Sequence, residues 1–370
     1  MPLLGQTSLN LTNYLVRDEN AFNSRYASKA YINNSSVYVE QRASIKSLQL
    51  SAYYNPDFLF YSNQDKLNNR SHLFGVSGVY SKDAYILSLS SSAKWRNYQE
   101  PYNFYNVNSF LLNANLQYCA KLSQLLQAGL TIKQDQYKNY SDLSNQTYKV
   151  YAKYQLFFKS RTSLTGELGW GVKNYFNQSF IEYFGMGYGV STSARVRENA
   201  VRASLLSAGL TIGKSLLTRT GLSLSLGGQW FLGDPIMTYT GGIYYFTEND
   251  LYDDPYSYQG RYGSIELTRQ FAVDFQAKAG VKIQRKDYQG TPALDINGWL
   301  SGSMRHDQRE EYFLMVSKKF TTGWNIPSSI SLFVNLMYRN NASNDPYFSY
   351  HDQIGLIGLS FGLLNPGHRF

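Results

Sequence analysis

Two tripeptides in the chain set an imidazole beside a carboxylate, His306-Asp307-Gln308 and His351-Asp352-Gln353. A histidine next to a carboxylate can act as a general base. In an extended strand, however, neighbouring side chains leave on opposite faces, so neither pair is a preformed dyad within itself. A hydrolase is therefore the minor alternative, polar rim residues are the main reading, and no catalytic residue is assigned. A second concentration, Glu248-Asn-Asp-Leu-Tyr-Asp-Asp254, sets four carboxylates within seven residues. Such oxygen ligands suit Ca²⁺, but the order departs from the Asp-x-Asp-x-Asp-Gly of a calcium loop. A solvated acidic loop is expected there, with no metal and no cofactor.

The third chemical feature is a set of lysines spaced by even numbers along alternating segments. In Val273-Asp-Phe-Gln-Ala-Lys-Ala-Gly-Val-Lys-Ile-Gln284 one face carries Val273, Phe275, Ala277, Ala279, Val281 and Ile283. The other carries Asp274, Gln276, Lys278, Lys282 and Gln284. Successive strand residues point to opposite sides, so such a segment has one oily face and one wet face. The same alternation runs through 110–118, 126–133, 148–156, 164–173 and 222–227. It places Lys133, Lys149, Lys153, Glu167, Lys173, Asp274, Lys278 and Lys282 on wet faces, together with Glu266.

Composition agrees with half-wet strands. Of 370 residues, 16% are aromatic, including 33 Tyr, and only 16% are charged, against about 25% in typical soluble domains. The mean hydropathy of −0.38 is polar, and no stretch approaches the roughly 18 apolar residues of a membrane-crossing helix. If this chain enters a membrane, strands must take it there. Cys119 is alone, which rules out an intramolecular disulfide and a cysteine metal cluster. The net charge of +9 reads as Lys and Arg dispersed along strands, without the basic stripe of a nucleic-acid face. No nucleic acid is expected as a partner.

Strands are expected near 8–16, 27–39, 44–61, 70–80, 84–97, 105–119, 124–137, 146–158, 162–176, 199–213, 218–232, 258–270, 272–286, 309–320, 328–340 and 351–364. That makes sixteen, with fourteen as the alternative, and most are long enough to cross a bilayer at a tilt, which takes about 9–11 residues. Alternate connections are tight: 40–43, 81–83, 120–123, 159–161, 214–217, around 272, and 321–327. Those between are longer: 17–26, 62–69, 98–104, 138–145, 177–198, 233–257, 287–308 and 341–350. Short turns at one end and long loops at the other describe a transmembrane barrel. Closure follows because hydrocarbon offers no partner to an open sheet edge. The fold class is thus all-β, a closed antiparallel transmembrane β-barrel, forming one domain over 8–370. Residues 1–7 read either as the tail of a signal peptide or as an arbitrary start. Aromatics near strand ends, Tyr98, Tyr102, Phe104, Tyr105, Tyr175, Phe176, Trp230, Phe231, Tyr347, Phe348 and Tyr350, are expected to form interfacial girdles.

With its strand pattern and its terminal Phe370, the chain resembles the Gram-negative outer-membrane β-barrel proteins, although Pro366 interrupts the run to that terminal aromatic. The resemblance implies a bacterial outer-membrane location, lipid and lipopolysaccharide as surroundings, and barrel-insertion machinery as a partner. A second copy of the chain is a further partner to consider. A barrel of this size leaves a water-filled lumen, so a passive pore or transporter for small hydrophilic solutes is expected. The lysines point to anions, and pairing with carboxylates across strands is the competing reading. The alternative function is a scaffold or secretion partner whose loops bind another protein. The 177–198 segment, with Phe180, Tyr183, Phe184 and Tyr188, serves either reading, as an inward constriction or an outward docking surface.

Overall fold

The computed structural model describes residues 4–20, 29–62, 64–176, 180–184, 193–197, 202–233, 254–322 and 328–364. Its first nine strands are β1 (Leu4–Asp18), β2 (Ala30–Ile45), β3 (Leu48–Tyr61), β4 (Asn69–Lys82), β5 (Tyr85–Tyr98), β6 (Val107–Lys121), β7 (Gln124–Tyr137), β8 (Asn145–Phe158) and β9 (Thr162–Tyr175). A short hairpin follows, β10 (Phe180–Phe184) and β11 (Ser193–Arg197). The remainder are β12 (Arg202–Leu217), β13 (Thr220–Phe231), β14 (Gln259–Ala272), β15 (Phe275–Leu294), β16 (Leu300–Thr321), β17 (Ser329–Ser343) and β18 (Tyr350–Leu364). All except β10 and β11 form one closed antiparallel sheet of sixteen strands, sealed where β1 pairs with β18 from Ser8↔Leu364 to Asp18↔Ile354. Among the described residues no helix is long and apolar enough to cross a membrane.

The expected strand order holds, and the differences lie at the ends. Residues 4–7 continue β1, pairing from Leu4↔Ser44 onward. Most of the expected 287–308 loop is strand, because β15 runs 20 residues and β16 runs 22. These two extend beyond the barrel wall, since β17 pairs with β16 only from Asp307 onward. The oil-and-water alternation fades there, and the ladder slips at Asp287, Pro292 and Leu294. Proline cannot donate to a ladder, which suits such an irregular pairing.

Register fixes which face is which. Leu50, Val76, Leu89, Leu168, Ile265 and Ile357 are all exposed on one parity of their strands. Ser51, Ser77, Ser90, Thr131, Ser225 and Ser264 occupy the other parity and meet across the ladders. An apolar outside around a polar lumen is the reverse of a soluble domain and satisfies a lipid surround.

The girdle expectation needs correction. Phe176 and Trp230 do face outward. Tyr98, Tyr105, Tyr175 and Tyr350 are buried instead. Tyr61, Tyr98, Tyr137 and Tyr175 end β3, β5, β7 and β9 on the luminal parity, so they form an inward collar at the long-loop end. Just above three of them a single-turn helix folds the chain back: Asp65–Leu67, Tyr102–Tyr105 and Ser141–Leu143. The last residue of each loop then caps the strand below. Asn68 Oδ1 accepts from Tyr61 N–H, Asn106 Oδ1 from Tyr98 N–H, and Ser144 Oγ from Tyr137 N–H. Those contacts satisfy backbone donors that would otherwise be orphaned at the strand tops.

Candidate functional site

The ladders carry the lysines of β7, β8, β9 and β15 onto the luminal parity. Lys133 stands opposite Thr147, Lys149 opposite Thr131 and Gly171, and Lys153 opposite Gln127 and Glu167. Four strands further round from β9, Lys278 stands opposite Thr268 and Lys282 opposite Ser264 and Glu311. Asp274 lies apart from this set, in the β14–β15 turn, where its carbonyl accepts from Lys319 N–H.

Half of the six lysines are engaged by carboxylates. Lys133 Nζ is 3.0 Å from Asp135 Oδ2, and Lys278 Nζ is 2.8 Å from Glu266 Oε1. Lys173 Nζ contacts Asp254 Oδ2 at 2.5 Å. Among the described residues Lys149, Lys153 and Lys282 make no ion pair, and Lys282 instead lies 5.7 Å above the Tyr262 ring. Glu167 faces Lys153 across the ladder and makes no ion pair either. Four residues separate Lys149 from Lys153, and Lys278 from Lys282, a rise of about 13 Å along an extended strand.

Between the two sets of lysines the lumen-facing residues of β12 and β13 are mostly small. Gly169, Ser207, Gly209, Ser225 and Gly227 face inward on β9, β12 and β13 by register. A luminal cavity of about 170 Å³ opens there, bounded by Lys153, Glu167, Gly209, Gln229 and Tyr262. Aromatics that could obstruct the passage are laid flat on neighbouring glycines. A Cβ at Gly75, Gly129, Gly227, Gly280 or Gly358 would collide with the rings of Tyr53, Tyr151, Tyr262, Phe313 or Phe333, respectively. Glycine is needed at these positions for close approach. Tyr151 is also tied down at its hydroxyl, which accepts from Asn115 Nδ2 at 2.7 Å and Gln127 Nε2 at 3.2 Å.

The long-loop mouth is charged and tightly bound. Asp254 ends the acidic segment, of which 248–253 lie outside the described residues. Its Oδ1 accepts from Tyr256 N–H, and its Oδ2 accepts from Lys173 Nζ and Tyr175 Oη. The Tyr256 ring crosses directly over Gly171. Burial, then the charge of Asp254, pushes the Tyr256 phenol up to about 12. Across the mouth the Arg305 guanidinium lies 4.1 Å from the Tyr288 ring centroid and 3.4 Å from that of Phe348. It holds Asp307 through Nε at 3.0 Å and Nη2 at 2.5 Å. From there charges alternate toward the barrel seam, with Arg339 3.1 Å from Glu311 and 4.0 Å from Asp352.

Neither histidine shares a face with its neighbouring carboxylate. His306 and His351 are exposed on the outer parity, while Asp307 and Asp352 are buried on the luminal one. Gly358-Leu-Ser-Phe-Gly362 has the spacing of a hydrolase nucleophile elbow. It sits within β18 instead of at a strand-to-helix turn, and Ser360 Oγ there accepts from Thr12 Oγ1. Among the described residues no cluster of three metal-ligating side chains exists. Phe180, Tyr183 and Phe184 lie on β10, paired with β11. Tyr188 falls outside the described residues.

No protein-family profile matches the chain, and no curated protein matches its sequence. Solved structures do. Pseudomonas aeruginosa OprD superposes with a TM-score of 0.53 at 10% identity, over 98% of this chain and 96% of that one. Acinetobacter baumannii OccAB1 gives 0.55 at 9% identity, over 97% and 96%. The chain has the fold of the OprD and Occ barrels. OccAB2 of the same organism agrees, at 0.52 and 10% identity over 98% of both chains. At such identity the frame is what the likeness shows.

Proposed function

We propose that the protein is a passive channel of a bacterial outer membrane, carrying small hydrophilic solutes with a preference for anions. A sixteen-strand frame encloses a lumen wide enough for water. The observation that carries the preference is Lys149, Lys153 and Lys282, luminal cations without an ion pair among the described residues. Of the charges the sequence singles out on the wall, only Glu167 is a similarly unengaged anion. Fixed cations along an aqueous path lower the cost of a passing anion and raise that of a cation. The flattened aromatics and the small residues of β9, β12 and β13 favour a clear path beside those lysines.

The test is the reversal potential of the purified protein in a planar bilayer under a KCl gradient. Chloride-favouring polarity is expected, moving toward zero in the Lys149→Gln, Lys153→Gln, Lys282→Gln variant. Cation preference in the unaltered chain, or a bilayer that stays silent, would overturn the proposal.

A further inference from the structure

The Lys and Arg that the strands carry gather in part at one end of the barrel. At the short-turn end, ten basic residues stand exposed: Lys46, Lys82, Lys121, Lys159, Arg161, Lys214, Arg219, Arg269, Lys318 and Lys319. Only Asp83 and Asp274 oppose them there among the described residues. The ten cations and two carboxylates named here give this rim a net charge of eight, against a net nine for the whole chain. Each of the seven short connections has a cation within it or within three residues of the strand end that leads into it, so the charge forms a ring and not a one-sided patch.

We infer that this ring seats on the phosphates of anionic phospholipid in the periplasmic leaflet. Three observations carry the inference. First, large apolar side chains alternate with the cations at the same level: Phe158, Leu216, Leu217, Phe271 and Phe320 are all exposed. Arg269 lies 5.9 Å above the Phe271 ring and Lys318 4.7 Å above that of Phe320. Apolar surface next to cations marks the boundary between hydrocarbon and headgroups, where long basic side chains reach out to phosphate. Second, among the described residues three of the four non-glycine residues with left-handed backbone are cations of this rim, Lys46 (φ 52°), Arg161 (φ 58°) and Arg219 (φ 64°). Glycine or asparagine would take that conformation at less cost, so turn geometry alone does not select a cation. Third, Arg161, Lys214 and Arg219 surround a cavity of about 580 Å³ edged by hydroxyls such as Ser163 and Thr220, large enough for a phosphate group. A ring parallel to the membrane matches a continuous anionic plane. An acidic protein would need cations on one side only.

The test is native mass spectrometry of the full chain from mixed micelles holding equal phosphatidylglycerol and phosphatidylcholine. Retained lipid is expected to be biased to phosphatidylglycerol, and salt should erase the bias. In the Lys46→Gln, Arg269→Gln, Lys318→Gln variant the bias should fall about fivefold per cation removed. A Lys29→Gln, Arg70→Gln, Lys138→Gln control at the opposite end should keep it. Equal retention of the two lipids, a bias insensitive to salt, or an equal loss in the control would overturn the inference. So would salt-sensitive capture of the protein by isolated peptidoglycan in the absence of any lipid bias, which would move the partner to the cell wall. Reversal potential should be unchanged in the rim variant, which separates this inference from the channel reading.

Discussion

Lys173 and Asp254 meet at 2.5 Å across 81 positions of sequence, and their contact fastens the descending end of the β13–β14 connection inside the mouth. Both side chains are about nine-tenths buried, at 10% and 9% exposure. Removing one partner of a buried pair strands the other charge and costs about 3–5 kcal/mol. Lys173→Met and Asp254→Asn are each expected to lower the unfolding free energy of the refolded barrel, read from urea titration, by an amount in that range. The double variant should cost clearly less than the two together, because neither charge is then left alone. Additive losses would show that the two groups act independently.

Gly129 and Tyr151 make a second testable pair. A methyl at Gly129 has no room beneath the ring, so Gly129→Ala should lift Tyr151 off the wall and into the lumen. Overpacking of this kind costs about 1–3 kcal/mol, and the displaced phenol loses its hydrogen bonds from Asn115 and Gln127. Single-channel conductance is expected to fall, and Gly129→Ala combined with Tyr151→Ser should restore it. Conductance unchanged in the single variant would place Tyr151 outside the narrow part of the path.

The frame was legible in the sequence because the period of two and the alternation of loop lengths are local. Which lysines are free was partly legible. Lys133 and Asp135 sit two apart on one strand face, whereas the Lys278–Glu266 contact depends on the ladder register. Asp254 reaches Lys173 from a loop, which no periodicity encodes. The inward collar was misread for a related reason. Tyr98 and Tyr175 occupy strand ends, and position along a strand does not reveal the face unless parity is carried to its last residue. The cationic rim was legible, since Lys or Arg lies in each short turn or within three residues of the strand end before it, and only counting by strand end exposes it.

The loop caps give a prediction specific to the collar. Asn106 Oδ1 accepts from Tyr98 N–H at 2.6 Å, at a site covered by the Tyr98 and Tyr105 rings, whose centroids are 5.9 Å apart. Asn106→Ala leaves that donor without its partner, which costs about 1–3 kcal/mol. Asn68→Ala should cost a similar amount at Tyr61. Both are expected to lower the temperature at which the folded band disappears in heat-modifiable gel migration. Asn106→Asp, which keeps an acceptor, should lose less. A loss in Asn106→Asp equal to that in Asn106→Ala would remove the cap as the cause.

Arg305 anchors the part of the β15–β16 hairpin that stands beyond the wall. Its guanidinium carbon lies over both the Tyr288 and Phe348 rings while the group holds Asp307 with two nitrogens. Lysine carries the same charge but has neither the plane to stack nor the fork to bind a carboxylate twice. Arg305→Lys is therefore expected to behave as a loss, on the order of 2 kcal/mol for charge-assisted hydrogen bonds to a buried carboxylate. The loss should be local, because the wall below Asp307 keeps its own ladder through Arg309↔Gln284 and Arg309↔Asn341. Amide hydrogen exchange should rise across 287–305 and stay unchanged in β6 to β9. A uniform rise around the barrel would instead make Arg305 a support of the whole wall, and protection unchanged at 287–305 would leave the stacked guanidinium without a structural role.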